Sequence, residues 1–203
     1  QPMEERLQDT SPSAMEKAIE ESLFAFYENL SCSSLFEVHL DADMLWTLTD
    51  VSDWSMFNSI VRAQLDKECI GTAIEAVIAR GRSRNVPLMW WVGPETRPAN
   101  ISDDLNEHGF ELVDESPGMA VDLLTIPPIP TGPSDLIINQ VQDIESLKIW
   151  CQVSAAGFEM TNSAEHAWMD AFNSIGLGTN VPFRHYLGWL KGEAVATSSL
   201  LLD

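Results

Sequence analysis

The residues best placed for chemistry are Gly71, Thr72 and Ala73, in the run Glu68-Cys69-Ile70-Gly71-Thr72-Ala73. Small residues at the start of a helical pattern let a phosphate approach uncapped backbone amides, and the helix dipole adds to the attraction. Asp66 and Glu68 stand beside them. Each carboxylate repels an anion by roughly 1 kcal/mol or more at short range. The run therefore reads either as a worn phosphate loop or as an ordinary helix start. Gly176 and Gly178 follow a helical pattern and read as a cap and loop. Cys32, Cys69 and Cys151 are odd in number and far apart, which suggests neither a disulfide framework nor a zinc site. His39, His108, His166 and His185 have no ligand spacing with them or with one another, so no metal is expected. The expected compartment is a reducing cytoplasm.

The elements that would position these residues read as an α+β chain. Residues 1–12 are polar and form a loose tail. Ser13 and Glu16 have the spacing of a capping box, and Met15, Ile19, Leu23, Phe26 and Leu30 then mark one apolar helical stripe. Phe36, Val38 and Leu40, a turn at 41–43, and a return through 45–48 predict a hairpin. A strand over 57–65 follows, then a helix from Ile70 with Arg80, Arg82 and Arg84 near its end, where the dipole favours cations. Residues 88–92 read as a short buried strand, 102–108 as a small helix closed by Gly109, and 110–113 and 119–126 as two more strands.

Four prolines and a glycine in 126–133 suggest a semi-rigid linker. Beyond it come a strand over 136–141, a helix capped by Asp143, a helix through Ala164, Trp168, Phe172 and Ile175, and a hairpin turning at Lys191-Gly192. The expected domains are 13–126 and 135–203, joined by 127–134.

The chain has 203 residues, with 31 Asp+Glu against 11 Lys+Arg and a net charge of −20. Such a surface repels phosphate backbones, so nucleic acid is not an expected partner. Apolar runs such as 88–92 are far too short to span a bilayer, and no secretory signal pattern is present, so no membrane partner is expected. The start at Gln1 suggests a fragment or a processed end.

The segment Phe183-Arg-His-Tyr-Leu-Gly-Trp-Leu-Lys-Gly-Glu-Ala-Val-Ala-Thr-Ser-Ser-Leu-Leu-Leu202, preceded by a strand and two helices, resembles the opening of the GNAT superfamily of N-acetyltransferases. Trp90-Trp91-Val92-Gly93-Pro94, Gly109-Phe110 and Pro117-Gly118-Met119-Ala120 resemble the first half of tandem GNAT proteins. The resemblance implies a mixed, mostly antiparallel sheet flanked by helices, followed by the first half of a second such domain. It implies acetyl-CoA as co-substrate and a small-molecule or peptide amine as acceptor. Gly71, Thr72 and Ala73 then fall at the family's pyrophosphate loop, in a degenerate form because Glu68 replaces the usual Gln or Arg. Phe158, Trp168 and Tyr186 fall where the family borders its acceptor. No catalytic residue carries over. The cofactor strand of the second half is expected beyond Asp203, which predicts a chain inactive on its own. The alternative is a non-catalytic structural or recognition module. The apolar strand at 194–202 offers a free edge, one route to a homodimer.

Overall fold

A computed structural model of the chain describes residues 9–122, 125–126 and 132–202. The first helix, α1, spans Pro12–Asn29 and continues into a short tight turn at Leu30–Cys32. Its start differs from the expected capping box at Ser13 and Glu16. Ser11 is the cap, accepting from the Ala14 N–H, and Pro12 takes the first helical position, where its missing N–H costs nothing.

Strands β1 (Glu37–Leu40) and β2 (Met44–Leu48) form the predicted hairpin, and β3 (Ser59–Ala63), shorter than the strand expected over 57–65, pairs antiparallel with β2. Helix α2 (Ile70–Arg84) then crosses over to β4 (Met89–Trp90), which runs parallel to β3. Helix α3 (Ile101–Glu107) follows and stops at Gly109, whose φ of +89° suits a glycine. The sheet order is β1-β2-β3-β4. The strand expected over 88–92 is thus two residues long, and both are half-buried rather than buried.

The strands expected over 110–113 and 119–126 are not formed among the described residues. Phe110 packs edge-on against Trp90, but Leu112, Val113 and Met119 are exposed. Among the described residues no neighbouring strand pairs with these amides, and a strand without a partner has little reason to persist in water. Residues 127–131 of the proposed linker lie outside the described residues.

The second sheet holds β5 (Leu136–Gln140), β6 (Phe183–Leu190) and β7 (Glu193–Leu201), all antiparallel, in the order β5-β6-β7. Between β5 and β6 run α4 (Ile144–Gly157) and α5 (Asn162–Ile175). Asp143 caps α4 in a reciprocal box with Ser146, as its position predicted. Lys191 and Gly192 both have positive φ, the two-residue turn that matches strand twist.

Two hydrophobic clusters hold these elements. One lies between the first sheet and α2 and α3, and includes Met44, Ile60, Ile74, Val77, Ile101 and Leu105. The other is shared across the proline-rich stretch: Tyr27, Leu45 and Phe57 pack with Trp150, Trp168 and Phe172. No helix among the described residues is long and apolar enough to cross a membrane.

Candidate functional site

Gly71, Thr72 and Ala73 occupy the first turn of α2. The cap residue, Cys69, makes no side-chain bond to that turn. The Ala73 N–H is already spent on the Cys69 carbonyl at 2.9 Å, so it offers nothing to a ligand. Gly71 faces the His108 imidazole, which a methyl group in place of its hydrogen would meet at 3.9 Å. His108 is itself held by its Nδ1, 2.7 Å from the Asp104 carbonyl. An uncapped first turn suits an anion, while the exposed carboxylates of Asp66 and Glu68 weaken that attraction.

Strands β3 and β4 pair at Ser59–Met89 and Ile60–Trp90. The chain then leaves the sheet and rejoins β3 at Gln64–Arg97, with the Arg97 N–H on the Ala63 carbonyl at 2.9 Å. Into that excursion reaches Glu20 of α1, only 9% exposed. Its Oε2 accepts the Glu95 N–H at 2.9 Å. Burial raises the proton affinity of this carboxyl above the ordinary carboxylate range, more than the Glu95 amide bond lowers it.

Glu20 lines a groove of about 520 Å³ with Lys17, Glu21, Phe24, Glu28, Arg62 and Glu95. Four carboxylates and two cations give it a negative balance, and Phe24 and Ala25 add apolar lining. Lys17 is partly engaged by Glu21 at 3.4 Å. Such a groove attracts an organic cation. Sequence reasoning missed it, although Lys17, Glu21, Phe24 and Glu28 fall on one helical face, which was a readable signal. Glu95 arrives from a distant loop and could not have been read.

Of the other candidates, Phe158 and Trp168 come together and Tyr186 does not join them. Phe158 caps the end of α4, is 64% exposed and lies 6.1 Å from the Trp168 ring. Trp168 is 8% exposed and packs against Trp54, Phe57, Trp150 and Phe172. Its Nε1 is buried with no hydrogen-bond partner among the described residues and sits among aromatic rings. Tyr186 is half-buried on the opposite face of the second sheet, because it neighbours Leu187 in the strand and successive side chains alternate.

An ionic cluster gathers on β1 and the end of α2. Glu37 receives Arg80 at 2.7 Å, Arg84, and His39 Nε2 at 2.6 Å. Burial works against its charge, but the bonds from His39 and Arg80 and the attraction of both arginines outweigh it and hold the carboxyl down at about 2. Arg84 also reaches Asp50 at 3.6 Å, so the two arginines face two carboxylates. Among the described residues no group of His, Cys, Asp and Glu could hold a metal ion.

No family model matches the chain, and neither a curated protein nor a solved structure matches it.

Proposed function

We propose that the chain carries a GNAT-type N-acetyltransferase fold, in which acetyl passes from acetyl-CoA to an amine. One observation carries this reading. A strand, two helices and an antiparallel hairpin follow in that order, with the sheet order β5-β6-β7, as the sequence resemblance implies. The parallel β3–α2–β4 crossover, with its strands parting beyond Ile60 and Trp90, supports it from the first sheet.

Acetyl-CoA would supply the thioester. The free amides at Gly71 and Thr72 would hold its pyrophosphate at the start of α2. The groove at Glu20 would draw a cationic amine, and Phe158 would offer an accessible apolar contact beside α5. A second reading is favoured by one feature: Asp66 and Glu68 beside the first turn of α2. On that reading the first sheet is a platform that ignores acetyl-CoA.

The test is a calorimetric titration of acetyl-CoA into the whole chain and into Thr72→Glu. An acidic residue in a first helical turn is compatible with the helix dipole, so this variant keeps α2 folded while repelling a pyrophosphate. Micromolar binding that weakens at least tenfold in the variant is the expected result. No binding by a chain that melts cooperatively removes the cofactor reading from α2 and leaves the platform.

A further inference from the structure

His185 lies in the middle of β6 with 1% of its surface exposed. Its Nδ1 is 2.7 Å from Ser199 Oγ on β7. Its Nε2 is buried and has no hydrogen-bond partner among the described residues. Trp150 of α4 stands 4.6 Å from the imidazole, Phe172 of α5 at 4.2 Å and Phe183 of β6 at 5.9 Å, between ring centroids. One ring therefore touches both helices and both strands of the hairpin.

A neutral imidazole suits this position. The Ser199 hydroxyl satisfies one nitrogen, and aromatic rings surround the other. A protonated imidazole does not suit it, because it has two N–H donors, one acceptor in reach and no counter-charge. The charged groups of the packed elements are elsewhere. Glu145 and Lys148 on α4 and Asp170 on α5 are exposed, and Glu28 at the end of α1 is exposed. Glu165 on α5 is half-buried and acts on the Cys151 thiol rather than on His185. Arg184 points to the other face of the sheet, β5 has no ionisable side chain, and β7 has none beyond Glu193.

We propose that His185 is an acid-operated latch: protonating it releases the hairpin β6–β7 from α4 and α5 while the α2–α3 side of the first sheet stays closed. The contrast rests on composition. The cluster of Met44, Ile60, Ile74, Val77, Ile101 and Leu105 contains no ionisable side chain.

Burial alone holds His185 at about 4 in the folded chain, below its ordinary value of 6.5. The proton therefore binds the opened layer first. The closing contribution is complete above the ordinary value and is lost as pH falls from there toward the folded value. Across that window the open population rises roughly tenfold per pH unit.

The experiment is hydrogen–deuterium exchange on the whole chain between pH 7 and 4.5, with rates corrected for intrinsic exchange, for the native chain and His185→Phe. Expected is a roughly tenfold rise in opening per pH unit below about 6.5 in segments 144–175 and 183–201. Segments 70–84 and 101–107 should not follow, and His185→Phe should abolish the rise. Carboxylate titration is common to both chains and cancels in the comparison. The same pH response in both chains, or simultaneous opening of all segments, overturns the latch. Should His185→Phe fail to fold, an NMR titration of the native His185 ring decides. A midpoint near 4, coinciding with collapse of the Trp150 and Phe172 signals, supports it; a midpoint near 6.5 with those signals unchanged overturns it.

Discussion

The two sheets differ in how many of their faces are covered. The first has helices on both sides: α1 lies over Leu45 and Val61, and α2 and α3 lie over Met44 and Ile60. The second has α4 and α5 on one side, over Phe183 and Leu187, while Ile138, Tyr186 and Leu200 face the other way. Burial follows: four of the five residues of β3 are buried, whereas β7 has none that are buried. Similar strand composition thus gives different energetic weight. An apolar side chain contributes only where a second layer excludes water from it.

The comparison can be broken most directly by truncation. Replacing the buried Phe172 with alanine should cost about 3–5 kcal/mol, and Ile60→Ala about 2–5 kcal/mol. Ile138→Ala, on the open face of the second sheet, should stay within about 0.5 kcal/mol. Denaturant melts of the three variants test this, and a large loss at Ile138 would mean its face is covered after all.

Next in size is Gly93→Ala. A methyl group there collides with Glu20 Oε1, so the carboxylate that accepts the Glu95 N–H must shift. A loss of about 1–3 kcal/mol is expected. Glu20→Gln in the same background should recover little of it, because the clash is steric. A Gly93→Ala melt equal to that of the native chain would show that the loop moves freely.

Glu37→Gln sharpens the account of the first sheet's rim. Its folded value of about 2 lies below the ordinary 4.5, so its contribution is present above 4.5 and fades as pH falls toward 2. At pH 7 the variant should lose about 1–2 kcal/mol, discounted for partial exposure, and less at pH 3. Equal losses at both values would contradict the ionic origin.

The smallest expected effect is Thr161→Ala, about 1 kcal/mol. Thr161 caps α5 and, with Ser163, donates to Asp53 Oδ1, each at 2.7 Å. Those two bonds hold the Asp53 carboxyl below its usual range. The loss should shrink if Asp53 is already alanine, since Thr161 then has no carboxylate there to donate to. Strict additivity in that double-mutant cycle would show that the tie between the two sides of the chain has no weight.

Much of the fold was legible because the signals were local. Asp143 as a cap, the Lys191-Gly192 turn, and apolar residues three and four apart in 164–175 each specify an element through its immediate neighbours. The failures share a cause too. Residues 110–113 and 119–126 read as strands, but a strand-like pattern does not supply a partner, and none pairs with them among the described residues. Ser13 and Glu16 match a capping box, yet Ser11 before Pro12 provides an earlier start that needs no Pro12 amide. That Tyr186 lies on the face of the second sheet away from Trp168 follows from the parity of one strand, where a single residue changes the face.

The amino-acid order alone determined the helices, the hairpins, the acidic surface and the small residues at the start of α2, because propensity, caps and turns act over a few residues. Tertiary packing decided what those residues became. Glu20 is one of several glutamates on α1 until the loop at 93–97 closes over it. His185 is an ordinary strand residue until Trp150 and Phe172 arrive from two helices and take away its water. Proton affinity and burial depend on what surrounds a side chain in space, and for both residues that surrounding comes from chain positions far away.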